Sequence, residues 1–361
     1  MRQVLTSRER FIRAMEHRDH DRVPRSDFYW PETIQRWQRE GLDGGADQVA
    51  SLLRSDVAMM GIPWLAPFPG RHEVIAETDE TRDVRGPMGK VEREWKTRSG
   101  TPEHLSFDCD SREKWDRVYK PALLEHAIQC DPAAIQRRCR VARADGKFVC
   151  MTSLEGFEQI RQLTGDENTL PAMAEDPEWI LDMSHTFTDL LIRNYEAAMS
   201  AGAKFDCVWV FGDLGYNHGP FFAPQAYREL IWPDHKRLCN WAHSHGMKFI
   251  YHTDGDVRML LDDFAAAGFD ALQPLEAKAG MDIRQLAPRY GRNFCFFGNI
   301  NMTVAMTNDR DAVEHEVRTK LAAGMAGKGY AYHSDHSVPP GVSFETYRWI
   351  IELLDRYGNY C

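Results

Sequence analysis

Three short stretches hold most of the residues able to do chemistry: His252-Thr253-Asp254-Gly255, Pro274-Leu275-Glu276, and His333-Ser334-Asp335-His336. An imidazole with carboxylates on neighbouring strand ends is a common way to build a divalent-metal site with an open coordination position. The candidate ligands are His252, Asp254, Glu276 and His336. Each has a plainer alternative. His252 can bond to a carbonyl, Thr-Asp-Gly-Asp can form a turn and helix cap, and Glu276 can pair with Lys278. Asp27, Asp213 and His336 are the groups placed to act as catalytic acids or bases. Around them, Phe28, Tyr29, Trp30 and Trp64 precede this region, and Tyr216, Phe221 and Phe222 follow Asp213. Together with the Asn299 amide, Phe28, Tyr29, Trp30 and Tyr216 suggest an apolar pocket for a flat or methyl-bearing small molecule. The alternative for these aromatics is core packing. No GxSxG, GxxxxGK[ST] or HExxH pattern occurs.

These groups must be positioned by a scaffold, and the chain has a regular rhythm. Apolar strand-like runs at 147–151, 205–211, 247–252, 270–275, 293–298 and 330–333 alternate with amphipathic stretches at 176–200, 224–243, 257–267, 311–323 and 344–357. Two earlier runs, 26–30 and 56–62, bring the number of strands to eight. Eight strand–helix units imply an α/β fold, a parallel (β/α)8 TIM barrel with its chemistry at the strand C-termini. An open doubly wound sheet is disfavoured because no glycine-rich fingerprint follows the first strand. An N-terminal helical extension begins at the capping box Thr6-Ser7-Arg8-Glu9, followed by Phe11, Ile12 and Met15. Residues 71–107 alternate with turn signals such as Arg85-Gly86-Pro87-Met88-Gly89-Lys90 and predict a β-hairpin insertion within one domain covering 1–361.

Composition narrows the functional classes. A net charge of −10 over 361 residues argues against nucleic acid and anionic membrane as partners. The longest apolar runs are strand-sized, and the N-terminus MRQVLTSRERFIRAMEHRDH is charged throughout, unlike a signal peptide. The eight cysteines include no CxxC, and Cys150, Cys207 and Cys295 sit in apolar runs as small hydrophobes. A reduced, cytoplasmic protein is expected.

The stretches Ser7-Arg8-Glu9-Arg10, Asp21-Arg22-Val23-Pro24, His252-Thr253-Asp254-Gly255, Phe297-Gly298-Asn299-Ile300 and Asp335-His336-Ser337-Val338-Pro339-Pro340 together resemble the uroporphyrinogen decarboxylase superfamily. The resemblance spans nearly the whole chain and implies a TIM barrel and a homodimer. The superfamily includes cofactor-free porphyrinogen decarboxylases and zinc-dependent methyltransferases that exchange methyl groups with corrinoid proteins or thiols. In the decarboxylases an arginine-bearing segment after the first strand grips the substrate's carboxylates. Here that segment reads Asp27-Phe28-Tyr29-Trp30-Pro31-Glu32, leaving Arg25 as its nearest arginine. The methyltransferases use a His-x-Cys pair and a later Cys. His252 matches, while Asp254 and His336 stand where the cysteines are expected. The resemblance thus implies a divalent metal, Zn2+ in the first instance, on an all-nitrogen-and-oxygen donor set. No DxHxxG corrinoid motif is present, so cobalamin would arrive on a partner corrinoid protein. The leading expectation is a methyltransferase acting on a small O- or N-methylated compound. A cofactor-free decarboxylase or lyase, with Asp27 or His336 carrying a proton, is the alternative. A non-catalytic binding protein is the third class.

Overall fold

A computed structural model describes residues 4–97 and 102–360. Its central feature is a parallel sheet of seven strands: β1 (Val57–Gly61), then β6 (Phe148–Leu154), β7 (Cys207–Phe211), β10 (Lys248–Thr253), β11 (Ala271–Pro274), β12 (Cys295–Phe297) and β13 (Tyr330–Ala331). Strands β2 (Glu73–Glu77), β3 (Thr81–Arg85), β4 (Val91–Trp95) and β5 (Glu103–Ser106) form a separate antiparallel sheet, and β8 (Gly215–Tyr216) pairs with β9 (Gly219–Pro220) as a small ribbon.

The eighth barrel position belongs to residues 25–29, which join through single bridges, Arg25 to Tyr332 and Tyr29 to Val338, both parallel. The Ser26 amide donates to Tyr332 O at 3.1 Å, and the Asp56 amide donates to Arg25 O at 2.7 Å, so this segment touches both neighbours. The join is reinforced by charge. The buried Asp56 carboxylate accepts from Arg10 Nη1 at 2.7 Å, Arg22 Nη1 at 2.8 Å and the Arg25 amide at 2.8 Å. A buried charge held by this many donors offsets its desolvation cost.

Two apolar layers follow from the period-2 alternation of the strands. Phe148, Cys150, Cys207, Trp209, Ile250, Ala271, Cys295, Phe297 and Ala331 face inward and fill the barrel. Phe11, from the helix Ser7–Met15, seals this layer at the strand N-termini by stacking on Phe148, with ring centroids 4.7 Å apart. The outward residues pack beneath the surrounding helices. Among the described residues, seven cysteines are buried and unpaired; Cys361 lies outside the description.

Two expectations change. The insertion is a four-stranded sheet and not a hairpin, and residues 98–101 of it lie outside the description. The stretch 224–243 divides into Pro224–Leu230 and Trp232–Ser244, because Pro233 has no amide to continue the first helix and suits the first turn of the next. Among the described residues no helix is long and apolar enough to cross a membrane.

Candidate active site

Strand alternation decides which candidate groups meet. His252 on β10 is the Cα partner of Phe211 on β7 and of Gln273 on β11. Side chains two apart share a face, so Asp213 follows Phe211 and Asp254 follows His252 over the same end of the barrel. Asp213, His252 and Asp254 each offer a donor atom, and these atoms lie within 4.8 Å of one another. His252 Nε2 stands 3.7 Å from Asp213 Oδ1, which also accepts the Asp254 amide at 2.9 Å.

The loops are pinned by close backbone packing. Gly255 adopts φ +83°, and a Cβ there would lie 2.2 Å from the Gly215 carbonyl carbon. Only glycine lets the loops after β7 and β10 approach this closely. The Gly255 amide donates to Glu276 Oε2 at 2.8 Å.

Burial pushes the Asp254 carboxyl up, but the hydrogen bond from His336 and the electrostatic pull of the neighbouring imidazoles outweigh it and hold it below its usual range. The same contact, Nδ1 to Asp254 Oδ2 at 3.3 Å, raises His336 despite its partial burial. Asp254 Oδ1 is buried and has no hydrogen-bond partner among the described residues. An unsatisfied buried carboxylate oxygen is costly unless something else occupies its lone pairs. One imidazole and two carboxylates suit a borderline or hard divalent ion, so these residues fit a metal.

Asp213 and His252 of the triad line one side of a cavity of about 480 Å³ over β1, β6, β7 and β10. Ile62 and Trp64 line it from beyond β1, Thr152, Ser153 and Leu154 from β6, and Phe211 and Gly212 from β7. Glu158 completes the wall from the helix Gly156–Thr164. Burial raises the Glu158 carboxyl above its usual value, although Arg161 and Gln162 partly oppose this. Gln162 donates to Glu158 Oε1 at 2.8 Å and accepts from the buried Lys90 Nζ at 2.6 Å, tying this wall to the insertion. Neither Glu158 nor this connection was anticipated from sequence. The available signal was its place in the first turn of the helix after a barrel strand.

The other sequence candidates fall in different places. Phe28 and Trp30 face inward: Phe28 lies under the mouth at 4.8 Å from the His333 ring, and Trp30 is 6.4 Å from the His336 ring. Tyr29 and Asp27 alternate to the opposite face, away from the cavity. Tyr29 packs on Trp37 and bonds Tyr347 OH at 2.9 Å. The Asp27 side chain has no exposed surface and accepts from Tyr332 OH, Ser334 Oγ and Tyr347 OH. It therefore anchors the barrel closure. Asn299, fully buried at φ +86°, spends its amide on the Ile283 amide and on the Leu275 and Met281 carbonyls, so it presents nothing to a substrate. Tyr216 is half-exposed in the β8–β9 ribbon, outside the cavity wall.

Glu276 does not converge with the triad. Leu275 turns the chain at φ +64°, and the Glu276 carboxylate takes the Gly255 amide and Lys278 Nζ at 2.8 Å, the expected plainer pairing. His336 contacts Asp254 from outside the triad. Asp213, expected as a catalytic group, takes a place among the converging donors instead.

With this geometry in place, comparisons place the chain among known proteins. The model of the family described as uroporphyrinogen decarboxylase (URO-D) matches residues 160–357, more than half of the chain. The chain belongs to the uroporphyrinogen decarboxylase family. The matched span includes every member of the triad, while the N-terminal motifs precede it. A solved structure of a methyltransferase from Methanosarcina mazei is similar in fold, with TM-score 0.70 and 13% identity over 98% of this chain and 99% of that one. A sugar phosphate isomerase/epimerase from Parabacteroides distasonis aligns at TM-score 0.37 and 7% identity, over 94% of this chain and 96% of that one, too distant to carry an argument. No curated protein matches the sequence. Arg25, the arginine nearest the family's substrate-gripping segment, is fully buried and bonds Asp355 at 2.7 Å and Leu354 O at 2.9 Å, and no arginine is among the cavity-lining residues.

Proposed function

We propose that the protein is a metal-dependent methyltransferase that moves a methyl group from a small O- or N-methylated compound to a corrinoid carried by a partner protein. The observation that carries this reading is the convergence of Asp213, His252 and Asp254, the first two of which line a largely apolar cavity, with Asp254 Oδ1 left unpaired among the described residues. The fold likeness to a methyltransferase is consistent with it.

Asp213, His252 and Asp254 would hold the ion, with zinc the first candidate and other divalent ions compatible with the same donors. Such an ion supplies Lewis acidity toward the substrate heteroatom, which keeps the bonding electron pair when the methyl group leaves. The protein's own part is positioning and exclusion of water. Ile62, Trp64, Leu154 and Phe211 give apolar walls against which a methyl-bearing group packs. Glu158 and the Thr152 hydroxyl offer the polar contacts that orient the rest of the molecule. A polycarboxylate is a poor fit. It would face Glu158 and Asp213 with no arginine on the cavity wall, and like charges at short range are costly in a partly dry site.

The test is formation of methylcobalamin from cob(I)alamin when the purified protein is offered panels of methoxylated and N-methylated compounds. Transfer should occur with at least one class, stop on chelation and return with added metal. Transfer that survives complete chelation would contradict metal dependence. Release of CO2 from carboxylated compounds without methyl transfer would support the decarboxylase alternative.

A further inference from the structure

Behind His252 a line of buried side chains crosses the barrel. His252 Nδ1 lies 2.5 Å from Gln273 Oε1, Gln273 Nε2 lies 3.4 Å from His333 Nε2, and His333 Nδ1 lies 2.7 Å from Ser334 O. Gln273 is 1% exposed and His333 is 0% exposed, so both are shielded from bulk solvent.

The proton positions can be worked out from the far end. A carbonyl oxygen only accepts, so His333 Nδ1 carries a proton and donates it to Ser334 O. Burial pushes the His333 pKa down despite the Asp27 carboxylate 3.5 Å from Nδ1, so the ring is neutral and Nε2 bears a lone pair. The Gln273 atom facing that lone pair must be the amide nitrogen. Its oxygen therefore faces His252 Nδ1 and can only accept. This fixes an amide orientation that heavy-atom positions alone leave open.

We infer that Gln273, held by His333, is a positioning residue that keeps the His252 proton on Nδ1 and turns the Nε2 lone pair toward Asp213. The inference rests on the proposed function for its purpose, since a metal-binding imidazole needs that lone pair, but the tautomer follows from the hydrogen bonds and the buried, neutral His333 ring. The opposite amide orientation would put a proton on Nε2 and close the donor. Gln273 thus does for His252 what a carbonyl or carboxylate does behind many metal-binding histidines, with a second histidine fixing the amide.

Side-chain nitrogen NMR of metal-free, histidine-labelled protein reads the tautomer directly, with the His252 signals assigned by His252→Gln. The wild type should show His252 protonated on Nδ1. Gln273→Leu removes both polar atoms and should give mixed tautomers, whereas Gln273→Glu can still accept from Nδ1 and should keep the wild-type form. In Zn2+ titrations of the same proteins, Gln273→Leu should bind roughly 10–100-fold more weakly, and Gln273→Glu should stay within about tenfold of wild type. A wild-type His252 protonated on Nε2 would overturn the inference whether or not the variants fold. So would a folded Gln273→Leu that keeps both the tautomer and the affinity. If the tautomer is as expected but His252→Ala binds Zn2+ as tightly as wild type, the metal reading fails and the positioning inference stands.

Discussion

Asp254 has two oxygens in different situations: Oδ2 faces His336, while Oδ1 is buried without a hydrogen-bond partner among the described residues. That contrast separates donors to an ion from residues that only orient them. His252→Ala and Asp213→Asn should each weaken Zn2+ binding by at least about 100-fold, whereas His336→Ala, which removes only an outer contact, should cost about tenfold. Glu276→Gln should leave Zn2+ affinity within about threefold and lower stability by about 1–2 kcal/mol, because it weakens the hold on the Gly255 amide and Lys278. Zn2+ titration by calorimetry, paired with thermal denaturation, checks all four. His252 and Asp254 were legible in the sequence because both mark one strand end. Asp213 was visible as a polar strand-end residue, but its convergence with them depends on the register between β7 and β10, which no local pattern records. Glu276 and Asn299 were misplaced for the same kind of reason. Left-handed backbone at Leu275 and Asn299 directs them into the loops, and neither position carries the glycine that would have announced it.

At the scale of elements, the two ends of the barrel have separate tasks. The helix Ser7–Met15 closes the N-terminal end through Phe11, while the triad and cavity occupy the C-terminal end. Phe11→Ala should therefore lower unfolding free energy by about 3–5 kcal/mol, through lost burial and the cavity left between Phe148 and Phe297. Its Zn2+ affinity should stay within about twofold of wild type. Denaturant unfolding followed by metal titration of the folded variant separates the two, and a large affinity loss would show that the ends are coupled. The strand–helix rhythm was readable because most barrel strands are short apolar runs. The segment 25–29 was readable as extended but not as a bridge-only strand, since its pairing depends on the buried Asp56–Arg10–Arg22 cluster. In the insertion, alternation revealed strands, but which strands pair is non-local, and a hairpin was inferred where four strands associate.

For the whole molecule, acid should loosen the N-terminal closure. Burial alone would raise the Asp21 carboxyl, but the Arg10 guanidinium and the Arg22 and Leu5 amides hold it down to about 2. A carboxyl with a depressed folded pKa contributes stability that is present above its unfolded value, near 3.8, and lost as pH falls through about 2. Its full contribution is on the order of 2 kcal/mol, so Asp21→Asn should be less stable than wild type by about that much at pH 6. The difference should shrink between pH 4 and about pH 2 in thermal denaturation. A constant difference across that window would locate the effect in packing instead of charge. The central claim is that a divalent ion sits on Asp213, His252 and Asp254 and serves the chemistry. Elemental analysis of the purified protein, after it is offered Zn2+, Mn2+, Fe2+ and Co2+ and desalted, tests this most directly. The account predicts about one equivalent per chain in wild type and in Glu276→Gln, consistent with the ligand assignment, and loss of that equivalent in His252→Ala and Asp213→Asn. A wild type that retains none of these metals, or full retention in both triad variants, would contradict it.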